Sequence, residues 1–145
     1  MKISDILRNK PAHTGTEVVT ISPSGTVKDL VALLTQHKIG ALVVMDGTHV
    51  AGIVSERDIV RRLNDAGADV LAGSVADIMT ATVVSCGPED DIDDIATTMT
   101  ERRIRHMPVL DEQALVGLVS IGDVVSSRMN QLEQDRGQLE QYITG

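Results

Sequence analysis

The chain has 145 residues, 42% of them hydrophobic, and a formal net charge of −8, yet it carries no Trp, no Phe and a single Tyr. A core of this size must be built from Val, Ile, Leu, Met and Ala, and base stacking on aromatic platforms is nearly excluded. The balance of 21 carboxylates against 13 Lys and Arg side chains repels a phosphate backbone and argues against nucleic-acid binding. Cys86 is the only cysteine, which excludes an intrachain disulfide and a cysteine-based zinc cluster. The start, Met1-Lys2-Ile3-Ser4-Asp5, lacks a long apolar core, and no apolar stretch approaches the roughly 20 residues of a membrane helix. A cytoplasmic protein with no membrane contact is expected.

In chain order, Ile3-Ser4-Asp5-Ile6-Leu7 opens a short N-terminal helix, and Lys10 to Thr16 has loop composition. Val18 to Ile21 is a β-branched run stopped by Ser22-Pro23, and Val27, Leu30, Val31, Leu33 and Leu34 then recur at helical spacing. Leu42 to Met45 and Val50 to Val54 read as two strands around the turn dipeptide Asp46-Gly47. Ser55 opens a second helix through Ile59, Val60 and Leu63, and Gly67-Ala68-Asp69 with Ala72-Gly73 forms a linker.

The same β-α-β-β-α order then returns. Sliding the sequence by 65 positions superimposes residues 18–60 on 83–125 without a gap, with 13 identities in 43 positions. Val75-Ala76-Asp77-Ile78-Met79 echoes the opening segment at an offset of 72, so seven extra residues, around Pro11 to Glu17, lie in the first copy. Two copies of this size cannot each bury much alone, which predicts packing about a pseudo-twofold axis in an α/β (α+β) fold. The expected units are residues 1–66 with the N-terminal helix, 74–128 with a linker helix, and a helical tail over 129–145, interrupted near Gly137.

The most informative matched block is Gly52-Ile53-Val54-Ser55-Glu56-Arg57-Asp58 against Gly117-Leu118-Val119-Ser120-Ile121-Gly122-Asp123. Each strand ends in Ser with Asp three residues later, the spacing of a capping box. A helix start at a strand's end also offers amides to a phosphate and a carboxylate to ribose hydroxyls, so both readings stay open. In the second block the copies diverge: Ile39-Gly40-Ala41 lets a flat ring approach the backbone, while Ile104-Arg105-His106-Met107-Pro108 offers cations beside Arg102 and Arg103. Catalytic features are thin. Cys86 aligns with the apolar Ile21, the four histidines lack metal-ligand spacing, and the acidic run Glu89 to Asp94 suits a helix start.

These residues resemble the tandem CBS domain pair, a regulatory module, over about residues 1 to 128. The resemblance implies no enzymatic activity and no metal. It implies an adenosine-containing regulatory ligand such as AMP, ADP, ATP or NAD, with Ser55 and Asp58, and Ser120 and Asp123, at ribose and phosphate. Adenine would be lined by Ile39, Gly40 and Ala41 in one copy and Arg105, His106, Met107 and Pro108 in the other, with Thr20 and Thr82 nearby. Arg57 would meet phosphate, and Ile121-Gly122 in the second copy removes that cation. The resemblance also implies a homodimer and an unidentified downstream protein. The rival reading is a structural homodimerisation module with vestigial pockets.

Overall fold

A computed structural model describes residues 1–9 and 18–144; the expected loop over Lys10 to Thr16, with its insertion, lies outside them. Its elements are helix α1 (Ile3–Asn9), strand β1 (Thr20–Ile21), helix α2 (Val27–His37), strands β2 (Ala41–Asp46) and β3 (His49–Ser55), and helix α3 (Glu56–Ala66). A 3-10 helix over Gly67–Ala72 leads to α4 (Val75–Ile78), α5 (Ile92–Arg102), β4 (His106–Asp111), β5 (Ala114–Ser120) and α6 (Ile121–Thr144). The β-α-β-β-α order recurs, but its first strand is short in the first copy and reduced to the single bridge at Cys86 in the second. Val18 and Val19 do not pair, and β1 is two residues long.

The twofold is written in the hydrogen bonds. Strand β1 runs parallel to β2 with Ile21 opposite Val44, and Cys86 makes the equivalent parallel bridge to Val109 of β4. The antiparallel hairpins β2–β3 and β4–β5 share one register and carry a bulge at the same place, between Val44 and Met45 and between Val109 and Leu110. Helices α2 and α5 end at matched left-handed residues, Lys38 (φ 53°) and Arg103 (φ 55°). The hairpin turns differ in chemistry. The first places Gly47 at φ 63°, whereas the second holds Glu112 and Gln113 at 49° and 72°, the positive-φ pair of a tight hairpin turn made without glycine.

The packing of the two echoed segments does not follow chain order. Helix α1 precedes the first repeat, yet Ile3 and Ile6 are buried in the core of the second, among Met99, Met107, Val109 and Val119. Helix α4 precedes the second repeat, yet Val75 and Ile78 complete the core of the first, with Leu30, Leu42, Val44 and Val54. The backbone bonds are matched one for one. Ile3 N–H donates to the Asp90 carbonyl and Ser4 N–H to that of Pro88; Val75 N–H donates to Gly25 and Ala76 N–H to Pro23. So the N-terminal helix, grouped in sequence with residues 1–66, packs with the second repeat, and the linker helix, grouped with 74–128, packs with the first. Each short helix buries its i, i+3 apolar pair in the core of the other repeat.

Glycine makes this exchange possible. A Cβ on Gly117 would lie 2.5 Å from Leu7 Cδ2, and one on Gly52 would lie 2.7 Å from Met79 Sδ and 2.8 Å from the Thr80 carbonyl oxygen. Both are closer than real carbon contacts allow, so the matched glycines admit the matched side chains Leu7 and Met79.

The tail also departs from expectation. Helix α6 is continuous for 24 residues, about 36 Å at the usual rise, and it runs through Gly137 without a break. The second repeat's last helix and the tail are one element, because a single helical glycine costs only about 1 kcal/mol and Arg136 and Glu140 pair across that turn at 3.1 Å.

Two stability outcomes follow from this packing. Gly52→Ala meets a backbone oxygen that cannot rotate away, so it should destabilise by about 1–3 kcal/mol, while Gly117→Ala meets the flexible end of Leu7 and should cost less. In chemical denaturation, the cost of Gly117→Ala should largely vanish when measured in a Leu7→Ala background, whereas most of the cost of Gly52→Ala should persist in a Met79→Ala background. Equal rescue of both would refute the distinction. Second, burial, and after it the neighbouring Asp90 carboxylate, push the Cys86 thiol up to about 12. The folded thiol stays protonated where an unfolded one ionises, near pH 8.5, so its contribution to stability is full below that pH and is lost as pH rises toward 12. A thiol reagent at pH 8 should modify Cys86 only on unfolding, and Cys86→Val should flatten the alkaline loss of stability.

Candidate functional site

Strand β3 ends at Ser55 and helix α3 begins at Glu56, so the strand delivers the cap residue of the helix. Ser55 N–H donates to Asp58 Oδ2 at 2.8 Å and its hydroxyl donates to the same oxygen at 3.1 Å, while Asp58 N–H points back at Ser55 Oγ at 3.4 Å. The capping box is complete. In the second copy Ser120 N–H donates to Asp123 Oδ2 at 2.8 Å and Asp123 N–H to Ser120 Oγ at 3.1 Å. Only Oδ2 of Asp58 is used by its cap bonds, which leaves Oδ1 with acceptor capacity for a hydroxyl donor. The helix amides are less available than the spacing suggests. Glu56 N–H is bonded to the Gly40 carbonyl at 3.0 Å, as Ile121 N–H is to that of Arg105 at 2.8 Å. An anion here would be held chiefly by side chains.

The Ser55–Asp58 box opens onto a cleft of about 440 Å³ between the repeats, a volume usual for small-molecule sites, about 300–1,000 Å³. Of the residues expected from sequence, the cleft brings together Gly40, Ala41, Ser55, Arg57, Asp58, Thr82, Arg105 and His106. A Cβ on Gly40 would sit 3.4 Å from Glu56 Oε1 and 3.5 Å from His106 Nε2, so the two repeats meet over this glycine.

The remaining expected residues lie elsewhere. Met107 is fully buried in the second core, Pro108 is buried on β4, and Ile39 packs on the first core. Thr20 is exposed on β1, paired with Val43. Ser120 and Asp123 stand, half-buried, at the twofold-related position. Residues 15–17, which correspond there to 80–82, are outside the described part of the chain.

Several cleft residues were missed, and most had a periodic signal. Ile53 is two residues before Ser55 and so shares its strand face. Thr80, Thr82 and Val84 line this cleft, while Ala81, Val83 and Ser85 line a second cleft of about 660 Å³ on the other side of the segment. That is the alternation of an extended chain. Arg61 is one helical turn beyond Arg57. Arg103 enters through the left-handed cap of α5, which no spacing rule indicates. Ile53, Val84 and Ile104 supply the aliphatic walls that an aromatic-free chain must offer to a ring. Among the described residues, no group of three His, Cys, Asp or Glu side chains is placed to hold a metal ion, and no helix is long and apolar enough to cross a membrane.

Comparison with known proteins accords with this architecture. The family model for the CBS domain matches twice, at residues 3–65 and 75–130. The chain is 34% identical to the mitochondrial CBS domain-containing protein CBSX3 of Arabidopsis thaliana, over 99% of its own length and 72% of that protein. It is 32% identical to the CBS domain-containing protein YhcV of Bacillus subtilis, over 79% of this chain and 81% of that one. A solved CBS-domain protein from Burkholderia ambifaria superimposes with a TM-score of 0.84 at 40% identity, covering 90% of this chain and 95% of that one. With two matched repeats, a shared twofold and a cleft built from both, the chain belongs to the CBS-domain family as a tandem pair.

Proposed function

We propose that the chain is a regulatory module that binds an adenosine-containing ligand (AMP, ADP, ATP or NAD) in the cleft between its repeats and performs no chemistry on it. The observation that carries this reading is the convergence on one cleft of an Asp58 carboxylate with a spare oxygen, small residues at Gly40 and Ala41, and three aliphatic walls. The first would receive ribose hydroxyls; the others would admit a flat ring. Because the lining comes from both repeats, a bound ligand favours one arrangement of them, and a downstream protein would read that difference. Titration with AMP, ADP, ATP, NAD and S-adenosylmethionine, followed by thermal shift or calorimetry, tests it. A ligand at 100 times its Kd should stabilise the fold by about 2.7 kcal/mol. Gly40→Leu, whose side chain projects toward Glu56 and His106, should abolish the shift while the protein stays folded. No shift with any compound would leave the structural reading in its place.

A second feature supports a homodimer. On α6, the side chains of Val125, Met129, Leu132, Leu139 and Ile143 are all exposed, and their spacing of four, three, seven and four residues is that of a coiled-coil seam with Arg136 at the one vacant position. In light scattering the parent should run as a dimer and the Leu132→Asp, Leu139→Asp variant as a monomer that keeps its ligand response. A monomeric parent would end this part of the proposal.

A further inference from the structure

The segment after α4 is fixed at two points. Thr80 exchanges main-chain bonds with Ile53 of β3, and Cys86 does so with Pro108 and Leu110 of β4. In between, the chain crosses from one sheet to the other. Among the described residues, the main-chain N–H and C=O groups of residues 81–85 make no hydrogen bond, although such groups are obligatory donors and acceptors. Strand β3 is the outer strand of its sheet, and among the described residues only Ile53 on that outer edge meets another segment. The wedge between this edge and the departing segment is the cleft of about 660 Å³, with Val50, Ala81, Val83 and Leu110 as apolar walls. Its rim is acidic. The two hairpin ends beside it carry Asp46, Asp111 and Glu112, all exposed, and among the described residues none of the three has a cation partner. His49 and Glu112 are the titratable side chains in the lining. Glu112 and Gln113 reach the cleft from left-handed backbone, where the first repeat begins its turn with Gly47. Non-glycine residues held in that conformation cluster at binding sites.

We propose that this second cleft docks a partner protein, which adds an extended peptide strand along residues 81–85 and sets a Lys or Arg side chain against Glu112 and the two hairpin aspartates. Strand addition satisfies the unpaired main-chain groups, and the apolar walls receive alternate side chains of the added strand. An open strand edge is a ready template for such pairing. The same segment borders both clefts. Thr82 and Val84 line the first, while Ala81, Val83 and Ser85 line the second, so ligand and peptide meet opposite faces of a chain fixed only at its ends. Each thereby changes the affinity of the other by the same factor. This coupling, unlike the docking itself, rests on the first cleft being the adenosine-ligand site.

Panning a phage library of random decapeptides on the full chain, then titrating the enriched peptides by fluorescence polarisation, tests the docking. Enriched peptides should join a basic residue to alternating apolar ones. N-methylation of alternate peptide amides, which removes donors and keeps every side chain, should weaken binding by about tenfold or more. Glu112→Lys, on an exposed turn, should do the same. Ala81→Trp should fill the cleft and abolish binding while circular dichroism stays that of the parent. No enriched peptide, or peptides indifferent to N-methylation and to both substitutions, overturns the docking site. Loss of the dimer in Ala81→Trp assigns the edge to a second copy and also overturns it. An adenosine compound that binds should shift peptide affinity by about fivefold or more. One that binds and leaves it unchanged overturns the coupling alone. Peptide binding with no adenosine compound bound keeps the docking and overturns the ligand reading.

Discussion

The close seating of two short helices against two strand glycines is the constraint on which the rest of this molecule depends. Leu7 occupies the space over Gly117, and Met79 occupies the space over Gly52. Because the helix carrying each side chain belongs in sequence to the opposite repeat, neither core closes without the other. Two units of about 45 residues, each too small to bury a sufficient core, thereby share one stability. The exchange also delivers the chain after α4 as an extended segment, held to β3 by the paired bonds between Ile53 and Thr80. The alternate side chains of that segment separate the two clefts.

On this symmetric scaffold the chemistry is asymmetric. The capping boxes at Ser55 and Ser120 are near copies, as are the bonds from Glu56 to Gly40 and from Ile121 to Arg105. These contacts build the helices and satisfy most of their first amides. What remains for recognition is the side chains, and there the copies part. The first copy keeps Glu56 and Arg57 where the second has Ile121 and Gly122, and the second has Arg105 and His106 where the first has Gly40 and Ala41. The cleft takes the charged member of each pair and also Gly40 and Ala41, so small residues that open space and cations that fill it meet in one place. A net charge of −8 and a basic cleft are compatible because acidic groups such as Asp93 and Asp94 on α5 and Glu133 and Asp135 on α6 lie outside the cleft lining.

The capping and ligand readings of Ser-x-x-Asp are compatible for a related reason. A carboxylate has two oxygens, and the box of α3 consumes one. The cap holds Asp58 in a single orientation and so prepares the other oxygen for a hydroxyl donor without further loss of side-chain freedom. Helix α6 plays a different part. Its first turns belong to the second core through Val124, and its later turns carry apolar side chains that the described chain leaves uncovered.

The sequence by itself determined the repeat, its β-α-β-β-α order, the caps, the burial of Cys86 and eight of the residues that line the cleft. All of these are set by contacts within a few residues or by a register that runs unbroken for 43 positions. It did not determine which core each echoed helix would enter, because Ile3 and Ile6 have the same spacing as Val75 and Ile78 and would satisfy either. Nor did it place Met107 or Ile39. A strand exchanges faces at every residue, and only the packed sheet shows which face meets the cleft. Arg103 could be named as a neighbouring cation but not placed in the cleft, since its position depends on a left-handed cap at the end of α5. The continuity of α6 through Gly137 lay beyond local propensity too. Tertiary structure decided these points, because each depends on where a second element stands, and that is fixed only when both cores close together.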